Sequence, residues 1–322
     1  MPTSGAIPQP KPEVGVVVVN WNNPDDTIAC LESLYDAHLR PAAVVLVDNA
    51  SHDDSVARVQ TWAKARDVGL SLTDTGNPAN QSPKWLTVIR SPSNLGFAGG
   101  NNLGLAHLRR TKATHFLLLN NDATVAPNYF DELDRVLRTS PEAGLVGGTI
   151  YHHPDRDRVW YAGGREIPYR ALVAHNYDVP ESPVPIPTEF VTGCAMTISR
   201  VLLDRIGGLP ECYFPGYSED AEYSRRARYA GFQVLYAPKA IVYHKVGATA
   251  GHAQTSPSVL QTQVRHRVFY VRRTFRGFER VIALFYLAIT KPGKALAEAM
   301  AGRPSMGMAV LRGTLEGFLR RV

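Results

Sequence analysis

"VGVVVVNWN", residues Val14–Asn22, is a run of β-branched side chains that ends in polar residues. Such a run is typical of a strand that is buried on both faces of a parallel sheet. The next segment, "PDDTIACLESLYDA", places Ile28, Leu31, Leu34 and Tyr35 at helical spacing. The two segments therefore predict the first strand and helix of an α/β domain.

The same alternation continues along the first 120 residues. "AAVVLVDNAS" (Ala42–Ser51), "LTVIRSPSN" and "THFLLLNND" predict strands, while "DDSVARVQTWAKAR" and "GGNNLGLAHLRRT" predict helices between them. Alternation at this period predicts an α/β fold with a doubly wound, mostly parallel sheet. The stretch Asp67–Trp85, which contains "DTGNPANQSP", is expected to be a surface loop or insertion.

Polar residues follow each of these predicted strands. In a doubly wound sheet, ligands bind beyond the carboxyl ends of the strands. Turn chemistry alone explains one such residue, since Asn and Asp are common in turns. Four strand ends with polar groups at the same edge instead predict a binding site, and the residues concerned are Asn20, Asn22, Asp48, Asn49, Asn94, Asn120, Asn121 and Asp122.

The segment "SNLGFAGGNNLG" (Ser93–Gly104) is a glycine-rich turn before a predicted helix, where backbone can approach a phosphate closely. It contains neither GxGxxG nor a P-loop, and the first strand–helix turn has no glycine. These absences argue against a dinucleotide oxidoreductase and against a sugar nucleotidyltransferase. A non-catalytic nucleotide-sugar binder stays compatible with this turn.

Acidic residues supply the candidate chemistry. Asp122 with Asn120 could hold Mg²⁺ or Mn²⁺ together with substrate phosphate oxygens. Asp48 suits either a helix cap or an acceptor for a base or ribose group. Glu219 and Asp220 form an adjacent pair after the aromatic loop "YFPGYS". Such a pair is either a solvated surface feature or a general base whose pKa is raised by apolar surroundings.

His244 ends the strand-like segment "APKAIVYH". A single histidine at a strand end is more often structural than a ligand. Its functional interpretation depends on a metal at Asp122.

Composition limits the setting of the protein. The chain has 322 residues, 44% of them hydrophobic, and only three cysteines, with no CxxC pair. This predicts a sizeable core and a reducing, cytoplasmic environment. Residues 1–13 form a Pro-rich tail without the apolar core of a signal peptide, and the longest apolar run, Val281–Ile289, is too short to span a bilayer.

Positive charge is concentrated at the C-terminus. Lys245–Val322 contains 13 Lys and Arg against three Glu and no Asp, which gives +10 in a chain of net charge +6. "VRHRVFYVRRTFRGFER" interleaves arginines with aromatic residues, and no nucleic-acid-reading motif accompanies it. The last predicted helix has an apolar stripe of Met308, Leu311, Leu315, Phe318, Leu319 and Val322. This segment suits either an anionic membrane surface or packing against the catalytic domain.

Seven segments in this order resemble the family 2 inverting glycosyltransferases of the GT-A fold, and most of all their bacterial rhamnosyltransferase-like branch. The resemblance spans about Val14 to Thr249. It rests on "VVVVNWNNPDDTIACLESL", "VVLVDNASHDDS", "SNLGFAGGNNLGL", "FLLLNNDATV", "VTGCAMTISR", "GGLPECYFPGYSEDAEYSRRARYAGF" and "APKAIVYHKVGAT".

The resemblance implies a role for each matching position. Asp220 would be the general base, with Glu219 beside it. Asp122 and Asn120 would occupy the place of the DXD metal motif, and His244 would assist the metal or the diphosphate. Donor-binding positions would be Asn20, Asp48, Asn94, Gly96, Asn101 and Asn121, and acceptor-side positions would be Gly193 and Cys194.

Two positions depart from the family pattern. The first acid of the DXD motif is Asn120 here, so the chain offers the metal one carboxylate where the family offers two. A second Asp often follows the acidic pair in the family, and its place is taken by Glu222.

The implied activity is the transfer of a sugar from a nucleotide diphosphate donor, with dTDP-rhamnose favoured over UDP- and GDP-sugars. The acceptor would be a glycan or a lipid-linked saccharide of a bacterial surface polysaccharide, and Mg²⁺ or Mn²⁺ the cofactor. The implied organisation is a catalytic domain at 14–247, with a donor half to about 125 and an acceptor half after it, followed by a basic helical region at 248–322. The enzyme would act at the inner face of the plasma membrane, as a peripheral protein and without nucleic acid, and an oligomer is compatible with the sequence.

Overall fold

The computed structural model describes residues 12–75, 84–245 and 256–322. Most of the predicted Pro-rich tail and the predicted domain boundary near residue 247 lie outside these ranges. The N-terminal half alternates strands and helices: β1 Val14–Asn20, α1 Pro24–Tyr35, β2 Ala43–Asp48, α2 Ser55–Ala65, β3 Leu70–Asp74, β4 Leu86–Arg90, α3 Gly96–Leu108 and β5 His115–Asn120.

The rest of the chain is more mixed. It comprises β6 Ala123–Val125, α4 Tyr129–Thr139, β7 Ala143–His152, β8 Val159–Tyr161, β9 Gly164–Ile167, β10 Leu172–His175, β11 Ile186–Pro187, β12 Ala195–Ser199, α5 Arg200–Ile206, α6 Glu219–Tyr229, β13 Gln233–His244, α7 Pro257–Thr274, α8 Gly277–Met300 and α9 Pro304–Leu319.

One large sheet runs through the molecule in the order β11-β13-β7-β12-β5-β1-β2-β4-β3, with β6 paired to β13 and β8 to β7. The strands β5, β1, β2, β4 and β3 are mutually parallel, whereas β12 is antiparallel to both of its neighbours. The predicted α/β fold with a mostly parallel sheet is therefore confirmed.

The expectation of a loop over Asp67–Trp85 is wrong for its first part. Leu70–Asp74 forms β3, which pairs in parallel register with β4 at the edge of the sheet. An edge strand has only one neighbour and is only partly buried, so its residues lack the apolar run that identifies the central strands. Residues 76–83 lie outside the described ranges.

Two hydrophobic layers sandwich the sheet, because both faces of its central strands are covered by helices. Val16 and Val18 of β1 point into one layer with α1, α2 and α4, while Val17 points into the other with α3 and α5. This alternation explains the unbroken apolar sequence of β1, since all its positions except the partly buried Val19 are buried on one face or the other.

The C-terminal helices share the first of these layers. The same buried cluster as the central strands contains Val268 and Val271 of α7, Phe275 directly after α7, and Leu287 of α8. Arg273 of α7 also forms a two-pronged ion pair with Glu222 of α6, at 2.8 and 3.0 Å. The start of the C-terminal region is thus packed against the α/β domain.

Most of the apolar stripe predicted for the last helix faces outward, and Phe318 is the member that packs against the main core. Met308, Leu311, Leu315 and Leu319 are exposed, whereas α9 contacts α7 through small residues such as Gly313 and Gly317. None of the described helices combines the length and mean hydropathy that a bilayer crossing requires.

Candidate active site

A cavity of about 660 Å³ opens where the parallel strands end. It brings together residues that lie as far apart in sequence as Val19 and His244. Of the thirteen predicted site residues, only Asn20 and Asp48 do not line it; those that do are Asn94, Gly96, Asn101, Asn120, Asn121, Asp122, Gly193, Cys194, Glu219, Asp220 and His244.

Asn20 and Asp48 are buried at the adjoining ends of β1 and β2. Asn20 donates from Nδ2 to Asp48 Oδ1 at 3.2 Å and to Ser51 Oγ at 3.0 Å, and its Oδ1 accepts from Thr27 at 2.8 Å. Thr27 in turn accepts a hydrogen bond from the cavity-lining Asn121 at 3.0 Å. These contacts fix the strand ends and hold the Asn121 amide in place.

The glycine-rich turn is held by Asn49, which the sequence analysis noted at a strand end without assigning it a role. Asn49 donates to Asn94 Oδ1 at 3.0 Å and accepts from the Leu95 amide at 2.8 Å. Gly96 has φ +69°, and a Cβ there would lie 2.8 Å from the carbonyl oxygen of Pro215. Glycine is therefore required where the donor-side turn meets the loop before α6.

Asp122 and His244 meet because β6 pairs with the end of β13, in register at Ala123 and His244. His244 Nε2 lies 3.1 Å from Asp122 Oδ1, and both side chains are buried. Asn120 Nδ2 lies 3.5 Å from the same imidazole nitrogen. The two residues predicted to help Asp122 hold a metal are thus beside it.

The electrostatics of this group suit a cation. Asp122 Oδ1 is buried, and the His244 imidazole that lies 3.1 Å from it does not have the angles of a hydrogen bond. Burial by itself lowers the pKa of His244, but Cys194 and the Asp122 carboxylate outweigh it and raise that pKa to about 10. The site therefore holds positive charge against Asp122, and a divalent cation can replace the proton of an imidazolium.

The protein ligands for such a cation are few. Among the described residues, no three His, Cys, Asp or Glu side chains come together as a metal site. Asp122, His244 and Asn120 fit Mg²⁺ or Mn²⁺ only as part of a ligand set that includes substrate, since these ions commonly bind one or two carboxylates plus phosphate oxygens.

The acidic pair opens helix α6. Asp220 accepts hydrogen bonds from the backbone amides of Gly193 at 3.0 Å and Ala221 at 2.8 Å. Burial raises the pKa of Asp220, and these amides limit the increase. Glu219 is buried with Oε2 unpartnered among the described residues, and burial and then the Asp220 charge raise its pKa well above the ordinary value. Burial thus favours the protonated form of both acids, and the two backbone amides favour ionisation of Asp220 over Glu219.

The loop before this pair has an unusual backbone. Tyr217 and Ser218 have φ values of +78° and +81°, a left-handed conformation that costs energy for residues other than glycine. The imidazole of His266 in α7 donates from Nδ1 to the Gly216 carbonyl at 3.0 Å and so supports the loop. The C-terminal region thus helps to position the acidic pair.

Glu222 has a structural partner. Its buried carboxylate accepts from Arg273 and, at 2.7 Å, from the Tyr213 hydroxyl. It does not line the cavity. The replacement of the family's second Asp by Glu therefore places this carboxylate in the contact between α6 and α7.

Several cavity residues were missed by the sequence analysis. Trp160 of β8 packs edge-on against His244, with ring centroids 4.9 Å apart, and no motif surrounds it in the sequence. Trp21 and Phe214 line the cavity and remain 42% and 52% exposed, which is uncommon for such large apolar side chains. The unusual exposure is visible only in the fold.

Comparison with known proteins agrees with this architecture. The sequence model of the family described as "Glycosyltransferase like family 2" matches residues 10–268. An N-acetylglucosaminyl-diphospho-decaprenol L-rhamnosyltransferase of Mycobacterium tuberculosis is 26% identical over 261 residues, which cover 73% of this chain and 76% of the relative. The hexosyltransferase Agl10 of low-salt glycan biosynthesis in Haloferax volcanii is 23% identical over 67% of this chain and 62% of its own length.

A further relative, protein y4gI of Sinorhizobium fredii, is 25% identical over 237 residues, and the match spans about a quarter (24%) of its length. Among solved structures, the mannosyltransferase PcManGT from Pyrobaculum calidifontis in complex with GDP-Man and Mn²⁺ aligns over 99% of this chain and 91% of its own, with a TM-score of 0.57 and 17% identity. TarS residues 1–349 from S. aureus in complex with UDP-GlcNAc align over 94% of this chain and 81% of their own, with a TM-score of 0.57 and 14% identity.

At these identities the solved structures establish the fold alone, whereas the family model covers most of the chain. The mostly parallel central sheet with its flanking helices matches the fold of these solved glycosyltransferases. The chain belongs to the glycosyltransferase like family 2 and has the fold of the GT-A glycosyltransferases.

Proposed function

We propose that this protein transfers a hexosyl group from a nucleoside diphosphate sugar to an acceptor hydroxyl with inversion at the anomeric carbon. L-Rhamnose from dTDP-rhamnose is the proposed donor sugar. The observation that carries the proposal is that the Asp122–His244 group and the Glu219–Asp220 pair line the same cavity. The 26% sequence identity to the mycobacterial rhamnosyltransferase supports the choice of sugar.

Asp220 is the proposed general base. It is the acid of the pair whose ionisation is favoured, because two backbone amides stabilise its charge. It would take the proton of the acceptor hydroxyl, and that oxygen would attack the anomeric carbon from the face opposite the leaving diphosphate. A single displacement of this kind inverts the configuration.

Glu219 has a different proposed role. Burial and the Asp220 charge raise its pKa well above the ordinary value and so favour the protonated carboxyl, which can donate a hydrogen bond to a sugar hydroxyl inside the cavity. Adjacent acids with separated pKa values can thus serve as base and hydrogen-bond donor.

Asp122, His244 and Asn120 would hold Mg²⁺ or Mn²⁺ together with the donor. When bound, the cation would neutralise charge on the departing diphosphate. The Mn²⁺ in the PcManGT complex supports this choice of ion. The Asn49-supported turn at Gly96 lies in the same cavity and is the proposed backbone contact of the donor.

The proposed acceptor is a glycan or lipid-linked saccharide of a bacterial surface polysaccharide, reached at the inner face of the plasma membrane. The printed name of the mycobacterial relative, whose acceptor is a diphospho-decaprenol, supports a lipid-linked substrate. The structure adds an exposed apolar face on α8, formed by Phe278, Val281, Phe285, Ile289 and Leu296. Exposed arginines at 276, 280, 303, 312, 320 and 321 surround the two last helices.

Such a face with surrounding cations suits the surface of an anionic bilayer. Of 21 large apolar side chains exposed in the described residues, 12 lie between Phe278 and Val322, so the exposure is concentrated in this region.

Because α7 is part of the main core, removal of the whole C-terminal region would expose that core. Replacement of Phe285 and Ile289 by serine should reduce flotation with phosphatidylglycerol liposomes, while Val201→Ser, at another exposed apolar position, should not. Unchanged flotation of the double variant would contradict membrane attachment through α8.

A thermal-shift screen of dTDP, UDP and GDP, each with and without Mg²⁺ or Mn²⁺, tests the central proposal. We expect one nucleotide to raise the melting temperature, and only with metal. Asp122→Ala should lose this metal-dependent increase and should also lose transfer, while the surface control Asp157→Asn should retain both. If UDP or GDP is the one nucleotide that stabilises the protein, it replaces dTDP as the proposed donor nucleotide. No shift with any nucleotide would contradict the donor site.

A further inference from the structure

A second cavity of about 410 Å³ lies beside the proposed general base. It is bounded by β10, the start of α6, and helices α7 and α8. Asp220 and Tyr217 line both this cavity and the larger one. A molecule in the second cavity therefore has access to the same carboxylate as a molecule in the first.

The second cavity is strongly cationic. Arg267 of α7 and Lys291 and Lys294 of α8 line it, and Asp220 is the one acid that does so within the described residues. Three basic side chains against one acidic side chain favour an anionic ligand.

Lys291 provides an independent indication. It is only 5% exposed, and its ammonium makes no hydrogen bond or ion pair with the described parts of the chain. An unpaired buried ammonium costs several kcal/mol in general. Burial, with further contributions from Arg267 and Lys294, lowers the pKa of Lys291 to about 7. A bound anion would relieve both the desolvation and the repulsion between these cations.

Arg267 is held in place by the protein backbone. Its Nε donates to the carbonyl oxygens of Arg170 at 3.0 Å and Ala171 at 3.1 Å, and its Nη2 also contacts the Arg170 carbonyl. The guanidinium is thus positioned before any ligand arrives, which reduces the entropy lost on binding.

Part of the remaining wall of the cavity is apolar, and the rest carries the polar side chains of Tyr217, Ser218, Gln263 and Tyr270. Leu172 and Val173 of β10 and Leu260 and Val264 of α7 line it next to the cations. This combination suits a phosphate group that is attached to an apolar chain better than it suits inorganic phosphate.

We propose that the second cavity binds the phosphate or diphosphate group of the acceptor, with Lys291, Arg267 and Lys294 as its cationic contacts. The acceptor hydroxyl then reaches Asp220 from this cavity while the donor occupies the first. This proposal rests on the proposed glycosyl transfer and adds the chemical class of the acceptor to it.

Isothermal titration of the full chain tests the proposal, with farnesyl diphosphate, farnesol and inorganic pyrophosphate as probes. EDTA in the buffer keeps the diphosphates from binding through a metal at Asp122. We expect farnesyl diphosphate to bind, and farnesol to bind at least about tenfold more weakly, since farnesol lacks the charged group that would accept hydrogen bonds from these cations.

Lys291→Met should weaken farnesyl diphosphate by about tenfold or more, because it removes the buried charge and keeps the apolar stem. Lys294→Gln, at an exposed position, should weaken it less, and the exposed control Lys112→Gln should leave it unchanged. Lys294→Gln also keeps the test valid if Lys291→Met fails to fold.

Equal affinity of wild type, Lys291→Met and Lys294→Gln would overturn the proposal, as would the absence of binding to the wild type. If pyrophosphate and farnesyl diphosphate bind equally well, and both lose affinity in Lys291→Met, the phosphate site is supported. The apolar residues of the cavity then do not contribute to binding. The metal-dependent nucleotide shift is measured on the same proteins. If that shift is absent while Lys291-dependent binding remains, the donor proposal fails and the anion site stands.

Discussion

Replacement of the proposed base, Asp220→Asn, separates catalysis from folding. The asparagine oxygen can keep one of the two backbone hydrogen bonds, from Gly193 or Ala221, and its amide group faces the other donor. The loss of one such bond costs about 0.5–1.5 kcal/mol. Because burial raises the pKa of Asp220, the native state disfavours its charge, and removal of that charge offsets part of the cost. We therefore expect a fall in melting temperature of only a few degrees.

Activity should fall much further. A positioned general base contributes about 10²- to 10⁴-fold, which corresponds to roughly 2.7–5.4 kcal/mol in the activation free energy. Release of nucleoside diphosphate in the presence of acceptor measures turnover, and the metal-dependent thermal shift measures donor binding. The matched control is Asp157→Asn on the surface. Turnover of Asp220→Asn within threefold of wild type would refute the assignment, and so would a loss of donor binding as large as the loss of turnover.

Three other predictions follow from the same geometry. Transfer should decrease as the pH falls through the pKa of Asp220, which is raised above its ordinary 3.8, so the acid limb of kcat/KM should lie above pH 4; a limb at or below that value would contradict a buried base. Gly96→Ala should destabilise the fold by about 2 kcal/mol, because Gly96 has a positive φ and a Cβ there would lie close to the Pro215 carbonyl oxygen. It should also weaken the nucleotide-induced shift in melting temperature. An unchanged free energy of unfolding in denaturant would argue against the tight turn. Arg273→Met leaves the carboxylate of Glu222 buried with only a tyrosine partner, and should lower the free energy of unfolding in urea by about 3 kcal/mol. The added change Glu222→Gln should restore part of that free energy. If it restores none, the arginine acts through packing.

The sequence patterns predicted the central part of the fold because its strands are buried on both faces. Burial on both faces requires continuous apolar runs, and these are recognisable without an alignment. The edge strand Leu70–Asp74 was missed because it has a partner on one side only and carries polar residues. Most of the candidate site was likewise predictable, since polar residues at the ends of parallel strands must lie at one edge of the sheet.

The sequence could not separate residues that line the cavity from those that support it. Asn20 and Asp48 have the same signature as Asn120 and Asp122, yet only the second pair lines the cavity. The difference depends on which hydrogen bonds the neighbouring strands offer, and those are formed only in the folded sheet. Trp160 is a similar case, because an antiparallel strand with no motif of its own brings it against His244.

The amino-acid sequence by itself therefore determined the α/β class, the edge of the sheet at which the candidate site residues lie, and the acids that could act there, because local patterns of apolar and polar residues carry that information. Only the tertiary structure decided that His244 lies at 3.1 Å from Asp122, that Glu222 is bound to Arg273, and that the buried Lys291 lines a cavity that Asp220 also lines. These contacts join residues far apart in the chain. Their energies depend on burial and on the distance between charges, and neither quantity exists until the chain is folded.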